Sequence, residues 1–103
     1  MTRALAAVLV SVAVGGCSPS SLSPEAERGR QTYVAQCTTC HAMDPAQPGP
    51  VGPPVKGSSR ALLEAKLLRG EYPAGYQPKR PTKIMPPQPQ VARELDALAA
   101  YLR

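Results

Sequence analysis

The chain has 103 residues, of which 43% are hydrophobic and 18% charged, with a formal net charge of +5; this is the material of one folded domain and excludes a disordered tail. Four Tyr, no Phe and no Trp leave few bulky side chains at a size where cores are already marginal, so a bound group, a metal or a disulfide is expected to complete the interior. The mild positive charge comes without a basic block of the nucleic-acid type, so nucleic acid is not expected as a partner.

Residues 1–16 read as an export signal: a short positive start (MTR), an apolar run of eleven (ALAAVLVSVAV) and a small-residue end, too short to span a bilayer. The segment VGGC, Val14 to Cys17, resembles a bacterial lipobox, which implies cleavage before Cys17 and a lipid on its sulfur; the alternative is an ordinary signal peptide followed by a free or disulfide-bonded thiol. Three cysteines make an odd number, and the other two form a cluster of their own. Removing residues 1–16 takes away Arg3 and no acid, so the formal charge falls from +5 to +4. Residues 17–23 then form the lipidated cysteine and a Ser/Pro tether reaching about 20 to 25 Å, and residues 24–103 the folded domain. The expected location is the periplasmic side of a bacterial membrane, inner or outer.

A first helix is expected over 24–37, with Ser23 as N-cap, Pro24 at the first helical position and Glu25 and Glu27 where the helix dipole favours acids. A second spans 59–69, with Leu63 and Leu67 on one face, Arg69 in the last turn and Gly70 as its stop. A third spans 90–102, where Val91, Leu95, Leu98 and Leu102 recur at spacings of four, three and four. No stretch alternates like a strand. Eleven of the thirteen prolines fall between Pro45 and Pro89, which makes the connections long but stiff and suited to wrapping a bound object.

Between the first two helices, Cys37, Cys40 and His41 form the motif CTTCH. A C-x-x-C-H run reads as covalent attachment of a c-type haem: two thiols one turn apart reach two neighbouring vinyl groups, and the adjacent imidazole ligates the iron. Three other readings compete. A structural zinc needs four ligands, and beyond these three only the remote Cys17 is on offer. A thioredoxin-like dithiol expects strands around it. A structural disulfide ignores the histidine.

If His41 is one axial ligand, the plausible soft partner for the sixth position is Met43 or Met85. Axial ligands sit on opposite faces of the ring, and two residues span at most about 7 Å, so Met43 cannot cross. Met85, stiffened by the prolines of KIMPP, can.

With Cys37, Cys40, His41 and Met85 in place, residues 24–103 resemble the class I cytochromes c, small monohaem electron carriers. The resemblance implies an all-α fold, with three main helices and Pro-rich loops wrapped around one covalently bound haem c. It also implies roles for further residues. Gly29 and Tyr33 stand eight and four positions before the first haem cysteine, and Tyr101 is the C-terminal aromatic expected to pack on Gly29. Gly52-Pro53 is the Gly-Pro whose proline carbonyl receives the His41 Nδ1 proton. A glycine inside a helix costs about 1 kcal/mol against Ala unless another helix crosses there, so Gly29 marks the expected crossing point.

The implied function is one-electron transfer, with both axial positions filled and no bond chemistry catalysed. The alternatives are an electron-accepting subunit of a dehydrogenase or oxidase complex, and a haem peroxidase or gas-binding module, which requires Met85 to leave the iron. Lys56, Lys79, Arg80 and Lys83 lie in the loops expected around the haem, which points to redox partner proteins with an acidic docking face. The residues that meet the propionates are left open among Tyr72, Tyr76, Lys79, Arg80 and Thr82.

Overall fold

The computed structural model describes residues 9–13, 15, 16 and 21–103. Cys17 and the lipidation expected there lie outside the described residues. Those that are described form an all-α domain: α1 (Pro24–Gln36), α2 (Arg60–Arg69), a 3-10 segment (Pro89–Glu94) and α3 (Leu95–Leu102), with no strand among them. No described helix is long and apolar enough to cross a membrane.

Local chemistry sets most of these boundaries. The Ser23 side chain accepts from the Ala26 N–H and Pro24 occupies the first turn, so α1 begins where a cap and a preset φ coincide. Ser59 caps α2 by accepting from the Leu62 N–H, and Gly70, at φ 65°, closes it in the left-handed conformation that glycine adopts without strain. The third helix departs from expectation. Instead of one α-helix from residue 90, its first part is a 3-10 helix, with the Val91 N–H bonded back to Gln88 O at 3.1 Å. Pro86, Pro87 and Pro89 deny the entering chain its amide donors, and Gln88 offers no side-chain cap, so the start tightens to i→i+3 bonding.

The main helix contact is α1 against α3. A Cβ on Gly29 would overlap the Ala97 carbonyl, so the two backbones meet there with no room for a side chain. The crossing point is as expected, but its partner is the Ala97 backbone, while Tyr101 packs on Tyr33 at a centroid distance of 5.6 Å. Around this contact Tyr33, Leu63, Leu67, Val91, Leu95, Leu98 and Leu102 form the core, which includes all four residues of the C-terminal stripe. Ion pairs brace it from outside, Arg28 to Glu94 at 3.0 Å and Arg60 to Asp96 at 2.8 Å; being exposed, each contributes about 0.2–1 kcal/mol. Tyr33 is the one aromatic side chain buried in this core, and the rest are aliphatic. On one side the core opens onto a cleft.

Candidate functional site

Cys37 caps the C-terminus of α1, its N–H bonded to Tyr33 O at 2.9 Å. The chain then turns on itself: Cys40 and His41 both donate to Cys37 O, at 3.2 and 2.9 Å. Thr38 Oγ1 donates back to Val34 O at 2.7 Å, which fastens the turn to the helix. Cys37, Cys40 and His41 thereby line one wall of the cleft together.

The next loop is folded against that turn. Cys40 O accepts from the Val51 and Gly52 amides, at 3.1 and 2.8 Å, and Pro45 O accepts from Val55 and Lys56, at 2.8 and 2.9 Å. This brings Pro53 O to 2.9 Å from His41 Nδ1. A carbonyl only accepts, so Nδ1 carries the proton and donates it, leaving Nε2 as the free lone pair. Gly52 makes the approach feasible, because a Cβ there would collide with the imidazole ring. Gly49 has the same role toward the Cys40 carbonyl and the His41 backbone. Sequence reasoning found the Gly52-Pro53 pair and missed Gly49; its only signal was a glycine in a Pro-rich turn, which by itself names no neighbour.

His41 is buried, at 7% exposed. Beneath it the Tyr33 hydroxyl donates to Ala42 O at 2.5 Å, and burial pushes that phenol up to about 12. Burial likewise pushes the Cys37 thiol up to about 11. A thiol held neutral in this way is the opposite of the lowered-pKa nucleophile that dithiol redox chemistry requires. Cys37 and Cys40 are both free, with no disulfide between them. Among the described residues no group of three or more His, Cys, Asp or Glu could hold a metal. The raised Cys37 thiol therefore does not suit the dithiol reading of CTTCH.

The facing wall comes from α2, through Leu63 and Leu67, and from the loop of residues 71–88, through Tyr72, Tyr76, Ile84 and Met85. The cleft is open to solvent at its mouth and lined mainly by apolar surface. Met85 lines it and packs against the core, whereas Met43 is 64% exposed and lies outside it. Tyr72 and Tyr76 stack at 5.3 Å, and the Lys66 ammonium lies 4.3 Å from the Tyr72 ring centroid. At the rim, Lys79 Nζ donates to Pro54 O at 2.7 Å and Arg80 donates to Val51 O at 2.5 Å. These two crossings are invisible in the sequence, since a backbone acceptor leaves no residue-type signal.

The residues that line the cleft are of the kinds that hold a c-type haem. Two free thiols, an imidazole with its tautomer fixed and a thioether share one apolar cleft, and a glycine at position 52 keeps that cleft open beside the imidazole. Residues 24–102 match the protein family described as cytochrome c oxidase, cbb3-type, subunit III. No curated protein and no solved structure matches the chain.

Proposed function

Because the chain belongs to the family described as cytochrome c oxidase, cbb3-type, subunit III, a family of class I c-type cytochromes that carry electrons, we propose that it binds one haem c covalently through Cys37 and Cys40, with His41 and Met85 as axial ligands. Bound haem supplies an iron that cycles between Fe(II) and Fe(III), and a thioether ligand raises its potential. The observation that carries the reading is the His41 Nδ1 bond to Pro53 O, within a cleft that Met85 lines and Met43 does not. That bond holds the ring by one nitrogen, keeps the other available and raises its basicity as a ligand. Methionine in the sixth position leaves no site for a substrate, so the chain is a carrier rather than an enzyme. The ferric spectrum tests this: a far-red sulfur-to-iron charge-transfer band is expected, and a high-spin spectrum would instead favour the peroxidase or gas-binding alternative.

The carrier is proposed to work outside the cytoplasm, exported by residues 1–16 and lipid-anchored through Cys17. Leu9, Val10 and Val12 of the apolar run are highly exposed, consistent with a segment that takes no part in the domain core. Cys17→Ser is expected to release the protein from membranes with its haem spectrum unchanged. A wild-type chain already soluble and free of lipid by mass spectrometry would refute the anchor.

The charge distribution supports an acidic redox partner. Five of the seven acids, Glu27, Glu64, Glu71, Glu94 and Asp96, are paired with Arg28, Arg30, Arg60 and Arg69. Lys56, Lys79, Arg80 and Lys83 have no acidic partner among the described residues, and Lys79 and Arg80 line the cleft. Lys66, Arg93 and Arg103 are likewise without an acidic partner among the described residues, and of the unpaired cations Lys66, Lys79 and Arg80 line the cleft, where they would steer encounter over about 8 to 10 Å at ordinary salt. Electron transfer to the partner is expected to slow as ionic strength rises, and further on Lys56→Glu or Lys83→Glu. A rate indifferent to both would leave apolar contact as the docking force. The family's description favours an oxidase complex as the electron acceptor, and co-purification with a terminal oxidase is the observation that would separate bound subunit from free shuttle.

A further inference from the structure

The loop of residues 71–88 carries Met85 but is scarcely tied to itself. Its ends are fixed by the Glu71 N–H on Ala65 O and the Gln88 N–H on Leu67 O, at 3.1 and 2.6 Å, and its one internal turn is Tyr76 N–H to Pro73 O at 3.1 Å. Residues 77–87 neither donate nor accept a backbone–backbone hydrogen bond, and four of them, Pro78, Pro81, Pro86 and Pro87, have no amide proton to give. What joins this stretch to the opposite wall by hydrogen bonds is Lys79 to Pro54 O and Arg80 to Val51 O. Both acceptors belong to the strap 51–54, whose Val51 and Gly52 amides are anchored on Cys40 O and whose Pro53 carbonyl holds His41.

We infer that Lys79 and Arg80 are positioning residues that form a two-point latch, fastening the Met85 loop to the strap that orients His41 and so setting how often the Met85 side of the cleft opens. The inference rests on the proposed His41/Met85 ligation. Two bonds from charged donors at an exposed rim shift the open fraction modestly, so releasing both should raise it about tenfold. Entry of an external ligand rises in the same proportion, because only the open state admits it.

The test uses the ferric haem-loaded full chain and neutral imidazole, so that the lost charges do not alter attraction of the probe. Two rates are read: bleaching of the sulfur-to-iron band by imidazole, and thermolysin cleavage before Ile84, which needs the loop to leave the cleft wall. In the Lys79→Ala/Arg80→Ala double variant both are expected to rise about tenfold, and in Lys79→Arg/Arg80→Lys, which keeps both donors, to stay within about twofold of wild type. Rates in the double alanine variant within about twofold of wild type would overturn the latch. Should that variant not retain haem, the two single alanine variants decide, each expected about threefold faster, and unchanged rates in both reject the proposal. A wild-type protein without the sulfur-to-iron band would show that the Met85 ligation itself is wrong, and the cleavage rate would still report on the latch.

Discussion

Replacing Cys37 and Cys40 together with alanine is expected to abolish haem staining after denaturing electrophoresis and to leave an exported chain without stable tertiary structure. The reason lies in how little the protein buries without help. Its core is one aromatic ring and a set of aliphatic side chains, and Leu63 and Leu67 of α2, though part of that core, also line the cleft. A domain this small needs a bound group to complete its interior, and a ligand that binds only the folded state contributes its binding energy to folding. Both thiols are free and at the cleft wall, positioned by the turn that closes on Cys37 O. Far-ultraviolet circular dichroism and thermal melting should show helix content and cooperativity falling together. Unchanged haem staining in the double variant would disprove covalent attachment through this pair.

Met85→Ala is expected to lower the reduction potential by on the order of 0.1 V or more, since axial ligand identity is the largest protein lever on haem potential and methionine raises it. The same change should remove the far-red band and open the iron to cyanide and CO. Met43→Ala should do none of these, because Met43 is exposed and outside the cleft. The pair of variants separates a chain-reach argument from a proximity argument: Met43 is near His41 in sequence but lies outside the cleft. Loss of the band in Met43→Ala would reverse the assignment.

Much of the site was legible because its determinants are local. The CTTCH turn needs only a helix end and i→i+3 and i→i+4 bonds to Cys37 O, so spacing in the chain equals placement in space. The Gly52-Pro53 acceptor was legible only through the family resemblance; in the structure a loop closed on Cys40 O and Pro45 O directs that carbonyl. Gly49 and the rim contacts of Lys79 and Arg80 were not legible, because each is defined by a backbone atom of another segment. For Lys79 and Arg80, residue type announces a positive charge but not which carbonyl receives it.

The same division runs through the fold. Sequence alone determined the helices that carry their own start and stop signals, Ser23 with Pro24 for α1 and Ser59 with Gly70 for α2, because capping is chemistry within four residues. It also determined which face of the C-terminal helix is buried, since the spacing of Val91, Leu95, Leu98 and Leu102 is itself the helical period. Only the tertiary structure decided that this helix opens as 3-10 and that Gly29 meets the Ala97 backbone while Tyr101 goes to Tyr33. Those outcomes depend on how closely separate segments approach one another, a distance fixed by packing across the whole domain and encoded at no single position.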